Sequence, residues 1–230
     1  MKRRTLYAFV ALVLLPAGLC GQRYSFKHYD RETGLPNQSV TTLLQDRTGF
    51  LWVGTENGLF RYDGRRFRGF TTADGLPSSQ VEALEQTRDG TLWVATLSGL
   101  ARLTGDRFET VDFSPGRGTM ALASDSLGRL YVGTSQGLLI SRSPVAASQK
   151  PAFTMYTVST QKSALVRSIA VPESGPVWYS CGQQLCRLDN GRVDSRAEWG
   201  VPNDLWEAVA IDTHGNVWAR SRNKKRLCKR

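Results

Sequence analysis

Two segments of the chain repeat one another 41 residues apart. Gly34-Leu35-Pro36-Asn37 leads through Val40 to Gly49-Phe50-Leu51-Trp52-Val53-Gly54-Thr55 and then Gly58-Leu59. Gly75-Leu76-Pro77-Ser78 leads through Val81 to Gly90-Thr91-Leu92-Trp93-Val94-Ala95-Thr96 and then Gly99-Leu100. Glycines, tryptophan and turn residues all keep one offset, which chance composition does not produce. A unit of this length cannot bury its own apolar surface, so it must stack against its copies. A third copy, Gly128-Arg129-Leu130-Tyr131-Val132-Gly133-Thr134, carries tyrosine for tryptophan. Gly175-Pro176-Val177-Trp178 begins a fourth. Asp212-Thr213-His214-Gly215-Asn216-Val217-Trp218 is a fifth, preceded by Gly200-Val201-Pro202-Asn203.

Each unit divides into four short strands joined by Gly/Asp turns. In the first these are Val40–Leu44, Phe50–Thr55, Leu59–Tyr62 and Arg66–Phe70; in the second, Val81–Leu84, Thr91–Thr96, Leu100–Leu103 and Arg107–Val111. Small antiparallel sheets repeated in this way predict an all-β fold of β-propeller blades, four strands to a blade. Units are expected at about 30–70, 71–111, 112–156, 157–196 and 197–221, within a propeller body spanning 22–221. Trp52, Trp93, Tyr131, Trp178 and Trp218 recur once per unit, which makes them packing residues between sheets. A buried aromatic removes roughly 150–250 Å² from water. Asp46, Asp125 and Asp212 share one turn position, and Asp63 and Asp189 another. Their recurrence marks them as caps on backbone N–H groups rather than catalytic carboxylates.

The net charge of +10 is confined to the two ends. Lys2, Arg3 and Arg4 account for three of the excess charges, and the seven basic residues from Arg220 to Arg230 for the rest. The body between is balanced and offers no extended field for a phosphate backbone, so nucleic acid is not an expected partner. Residues 1–21 read as an export signal: basic start, apolar Leu6 to Leu15, then Pro16-Ala17-Gly18-Leu19-Cys20. The apolar run is shorter than the roughly 20 residues that span a bilayer. An exported, periplasmic protein is expected. In that compartment Cys181 and Cys186, flanking a predicted hairpin turn, form either a disulfide or a pair of small buried thiols. His28 and His214 are the sole histidines and lack clustered ligands, so no metal site and no cofactor is expected.

The phrase Asp74-Gly75-Leu76-Pro77-Ser78-Ser79-Gln80-Val81, followed by Asp89-Gly90-Thr91-Leu92-Trp93-Val94 and Gly99-Leu100, resembles the two-component regulator propeller repeat. That family occupies the extracytoplasmic sensor region of hybrid sensor histidine kinases. The resemblance implies seven-bladed rings, often in tandem, followed by a membrane span and kinase or other output domains. Here the pattern stops after Trp218-Ala219-Arg220-Ser221. The expectation is therefore about four and a half blades of an incomplete, truncated ring, with 222–230 as a basic irregular tail. In such a ring the Tyr24–Tyr29 segment would complete the last blade. The partners implied are the remaining propeller blades and the kinase output domains of a full-length relative.

Propellers meet ligands on the face that carries the loops into the inner strands and the hairpins between second and third strands. Mapped onto this chain, the candidate ligand contacts are Asn37, Gln38, Ser39, Ser78, Ser79, Gln80 and Asn203 on the first kind, with Glu56, Asn57 and Gln136 on the second. Their amides and hydroxyls suit a small-molecule or oligosaccharide ligand; the plainer reading is that they make turns. Trp206, at the repeat position of Val40, Val81 and Val166, is either a stacking platform or a core residue. The expected function is a non-enzymatic, ligand-sensing module. A propeller lyase or hydrolase, which needs a converging acid and base, is the first alternative, and a protein-interaction scaffold the second.

Overall fold

Short apolar runs separated by glycine-bearing turns become five antiparallel sheets in the computed structural model, which describes residues 26–112, 118–145, 150–157, 165–195, 201–222 and 227–229. The first blade holds β1 (Val40–Gln45), β2 (Leu51–Thr55), β3 (Gly58–Tyr62) and β4 (Phe67–Phe70). The second holds β5 (Val81–Gln86), β6 (Leu92–Thr96), β7 (Gly99–Thr104) and β8 (Arg107–Val111). In the third are β9 (Thr119–Ser124), β10 (Leu130–Thr134), β11 (Leu138–Ser141) and β12 (Phe153–Tyr156). The fourth has β13 (Ile169–Ala170), β14 (Val177–Cys181), β15 (Gln184–Asp189) and β16 (Arg192–Ser195), and the fifth β17 (Trp206–Ile211), β18 (Val217–Ser221) and β19 (Leu227–Lys229). Within each sheet the strands follow chain order. The first strands β1, β5, β9, β13 and β17 neighbour one another in succession, the arrangement of propeller blades. The predicted signal at 1–21 lies outside the described residues.

Strand alternation decides what faces what. On β2, Trp52 looks toward the second blade and packs with Leu92, Val94 and Phe108. Trp93 meets Leu130, Val132 and Leu139 of the third blade. Tyr131 meets Val177, Tyr179 and Cys181 of the fourth, and Trp178 meets Trp206, Val209 and Val217 of the fifth. Each of these four second-strand aromatics therefore plugs the gap to the next sheet. Two residues on, the side chain must be small, because the next inner strand passes close by. A Cβ on Gly54 would lie 2.7 Å from Val81 Cγ1, and one on Gly133 2.6 Å from Val166 O. Polar contacts tie the same seams: Thr41 Oγ1 donates to Val81 O at 2.6 Å, Thr119 Oγ1 to Thr96 O at 2.8 Å, and Val209 N to Ser168 Oγ at 2.9 Å.

The structure departs from the sequence reading at both ends. Residues 227–229 are not irregular. They form β19, which pairs antiparallel with β18 through Ala219↔Cys228. The open edge of β18 presents backbone N–H and C=O groups that a basic segment satisfies as well as an apolar one. At the other end, residues 26–30 form no strand. Instead Tyr29 packs edge-on against Tyr62 and Phe67, with ring centroids 5.2 and 5.5 Å apart, and Leu35 joins Val53 and Phe60. This stretch covers the flank of the first blade. Cys181 and Cys186 are bonded, with Cα atoms 5.8 Å apart. They sit diagonally across the hairpin, since Cys186 pairs with Tyr179 and Cys181 with Gln184.

Trp93 is wholly buried whereas Leu97 is 44% exposed. Trp93→Ala is expected to cost about 3–5 kcal/mol in urea unfolding, and Leu97→Ala under about 0.5 kcal/mol.

Candidate functional site

Backbone hydrogen bonds between loops build the face that the sequence singles out. Glu56 N donates to Ser39 O at 3.2 Å, joining the first hairpin to the loop that enters its own blade. Gly58 N donates to Ser79 O at 2.7 Å, and Leu97 N to Gln80 O at 3.0 Å. The loop entering the second blade is thus held between two hairpins. Asp204 N donates to Gln183 O at 2.9 Å and repeats the arrangement at the fifth blade. Ser39, Glu56, Asn57, Ser79 and Gln80 form one continuous rim, with Asn203 beside Gln183 further along.

The individual side chains divide by role. Asn37 Oδ1 accepts from Ser39 N at 2.8 Å, so this residue makes a turn and shapes the loop. Gln80 Nε2 donates to Glu82 Oε1 at 2.8 Å, which fixes its amide. Gln38, Ser39, Glu56, Asn57, Gln136 and Asn203 are exposed, and Ser78, Ser79 and Gln80 are half-buried. Trp206 is not at the surface. It is 1% exposed among Ala170, Trp178, Val209 and Val217, which removes it as a stacking platform. Gln183 and Glu82 were passed over by the sequence reading. Gln183 shares the repeat position of Asn57 and Gln136, so the signal that finds it is the repeat register itself.

At the opposite ends of the strands the recurrent aspartates do more than cap turns. Trp52 Nε1 donates to Asp46 Oδ2 at 2.7 Å, and Trp218 Nε1 to Asp212 Oδ2 at 3.0 Å. Tyr131 OH reaches Asp125 Oδ2 at 3.2 Å. In the second blade Thr87 Oγ1 takes the place of the carboxylate and accepts from Trp93 Nε1 at 3.1 Å. The other oxygen of each carboxylate accepts turn N–H groups, as from Thr48 and Phe50 to Asp46. Burial alone would raise the Asp46 carboxyl, but hydrogen bonds from Thr48, Trp52 and Phe50 outweigh it and hold it low. The Trp218 indole, with Asn216 and His214, holds Asp212 well below the usual carboxylate range. Both are fixed anions, unsuited to donating or shuttling a proton. Glu85 is the reverse: burial pushes its carboxyl up although Ser124 Oγ donates to it at 2.6 Å. Among the described residues no group of three His, Cys, Asp or Glu side chains is placed to hold a metal ion, and no helix is long and apolar enough to cross a membrane.

The sequence model described as "Two component regulator propeller" matches residues 34–57 and 75–98. Over 63 residues the chain is 36% identical to Histidine kinase P4 of Formosa agariphila, covering 27% of this chain and 4% of the kinase. The extracellular domain of BT3049 from B. thetaiotaomicron, described as a hybrid two-component system, superposes with a TM-score of 0.71 at 21% identity, over 90% of this chain and 32% of that one. Virginiamycin B lyase from Staphylococcus aureus superposes with a TM-score of 0.69 at 16% identity, over 91% of this chain and 74% of the lyase. The chain thus shares its fold with part of the extracellular domain of a two-component system and with a lyase, and spans about a third of the BT3049 extracellular domain.

The depressed aspartates set a direction for pH dependence. A carboxylate with a lowered folded-state pKa stabilises the fold above the ordinary value of 3.8, and that contribution is lost as pH falls through the depressed value. The midpoint of thermal unfolding should therefore fall on acidification below pH 3.8. An Asp46→Asn/Asp212→Asn variant should start lower and fall less steeply, as read by circular dichroism across a pH series.

Proposed function

We propose that the chain is the ligand-recognising propeller segment of an extracytoplasmic sensor, that it performs no catalysis, and that its ligand is an oligosaccharide. The observation that carries this reading is the rim of Ser39, Asn57, Ser79 and Gln80, whose loops are locked together by backbone hydrogen bonds between neighbouring hairpins. Amides and hydroxyls on a fixed frame, with the Glu56 carboxylate among them, exchange donors and acceptors with sugar hydroxyls, and pre-ordered loops lose little entropy on binding. The 36% identity to a histidine kinase segment supports a signalling context, in which kinase domains of a longer protein receive the signal. The export-signal pattern at 1–21 supports a periplasmic location.

The lyase-like fold keeps an enzymatic reading in play, but the residues favour it less. An acid–base mechanism needs groups that change protonation where substrate sits. His214 lies in the turn with Asp212, and His28 in the segment ahead of the first blade, beside Asp30. Neither is in the loops that form the rim.

Thermal-shift titration of the purified chain with a panel of neutral oligosaccharides tests the proposal. A true ligand at about 100 times its Kd stabilises by roughly 2.7 kcal/mol, and Asn57→Ala or Gln80→Ala should weaken it at least about tenfold. Absence of any stabilising sugar contradicts the carbohydrate assignment. Cleavage or elimination of a bound sugar, followed by mass spectrometry, contradicts the non-catalytic one.

A further inference from the structure

The repeat register exposes one blade that is built differently from the rest. Across each sheet, the second-strand aromatic has a fixed neighbour on the third strand, which in turn has one on the fourth. In the first blade the row is Trp52–Arg61–Arg68, in the second Trp93–Arg102–Glu109, and in the fourth Trp178–Arg187–Asp194. Each row has a tryptophan followed by an arginine, whose long side chain covers the surface beside the indole. The Arg61 guanidinium lies 5.6 Å from the Trp52 ring centroid, and Arg102 is 6% exposed and paired with Glu109 at 3.0 Å. In the third blade the row is Tyr131–Ile140–Thr154. The aromatic and its third-strand neighbour are smaller there and the fourth-strand position is uncharged, while Arg129 from the turn lies 5.9 Å from the Tyr131 ring centroid.

A cleft opens where those side chains are missing. It lies between the third and fourth blades, at the end carrying the first-to-second-strand turns, and has a volume of about 690 Å³. Small-molecule sites span roughly 300–1,000 Å³. Tyr131, Ile140 and Thr154 form one wall; Val177, Leu188 and the turns around Glu173 and Asn190 form the other. The lining is rich in hydroxyls and carries Arg129 and Arg142 against Asp125, Glu173 and Asp189, an excess of one negative charge that Arg187, bonded to Asp189 from outside the lining, offsets. Asp125 is already occupied by Arg129 at 2.6 Å and Tyr131 at 3.2 Å. Burial raises the Tyr131 hydroxyl to about 12, so it stays protonated at every physiological pH, its proton on Asp125 and its oxygen open to accept from a ligand.

We propose that this cleft is a second ligand site, on the opposite face from the rim of loops, for a neutral polyhydroxylated molecule about the size of a disaccharide. Carboxylates accept from its hydroxyls, guanidinium and amide groups donate to them, and Ile140, Val177 and Leu188 meet its C–H faces. A ligand with strong net charge gains nothing from a lining whose charges already cancel. The site stands independently of the function proposed for the rim.

The test is NMR titration of the isotope-labelled chain with sucrose, trehalose, maltose and cellobiose, alongside glucuronate and glucosamine as charged controls. The expected result is saturable shifts confined to amides of residues 125–131, 154–156, 173–175 and 188–191 with at least one disaccharide. Glu173→Ala, an exposed change that leaves the core alone, should weaken that binding several-fold. Ile140→Arg/Thr154→Glu, which rebuilds the filled row of the second blade, should abolish it, while Gln80→Ala on the rim should leave it unchanged. The proposal is overturned if no disaccharide shifts these amides at tens of millimolar, if the shifts fall on the rim alone, if a charged control binds as tightly, or if binding survives refilling of the cleft in a variant that still folds.

Discussion

One contact underlies the rest of the structure: a second-strand aromatic that reaches across to the next sheet while its polar atom is held at home. Trp52 shows both halves. Its ring lies against Phe108 of the second blade, centroids 6.3 Å apart, and its N–H is bound by Asp46 in its own turn. A buried indole N–H without an acceptor costs about 1–3 kcal/mol, so the turn residue is what allows a tryptophan to serve as an interblade plug. The same acceptor orders the turn by taking two further N–H groups. Blade shape and blade stacking are thereby set by one side chain of the turn.

That contact assigns different work to the two ends of the strands. At the turn end, aspartates are consumed by architecture and are held ionised by the groups they accept from. At the other end, loops and hairpins bind each other through backbone atoms and leave amides and hydroxyls pointing outward. The rim's polar side chains are consequently available for recognition in a way that the turn carboxylates are not. The third blade breaks the division, because a smaller aromatic, an isoleucine and a threonine leave space at the turn end that the other blades fill.

Much of this was legible from the residues because the repeat supplies the register. Strand positions in the first two blades agree with the sequence reading to within a residue or two, and Trp52, Trp93 and Trp178 are buried. Trp206 occupies the position of Val40, Val81 and Val166; Val40, in the first blade, is exposed, whereas the two that follow another blade are fully buried, as Trp206 is. Spacing of six residues links Asp46 to Trp52, Asp125 to Tyr131 and Asp212 to Trp218, yet the bond itself emerges only when the turn folds the two together. What no local pattern announces is β19. Its pairing is dictated by the unsatisfied edge of β18, a tertiary demand that leaves little mark on a basic segment. The cleft is likewise a deficit of volume, apparent only when three positions distant in the chain are set side by side.

The most direct measurement is a double-mutant cycle on Asp46→Ala and Trp52→Phe, with stabilities from urea unfolding at neutral pH. If the turn carboxylate holds the indole that holds the next blade, the two losses overlap. The coupling energy should then be about 1–2 kcal/mol, with Asp46→Ala costing less in the Trp52→Phe background than in the parent because only the turn contacts of Asp46 remain to be lost. Losses that add to within about 0.5 kcal/mol would show that the turn and the interblade plug are independent, and would contradict the account.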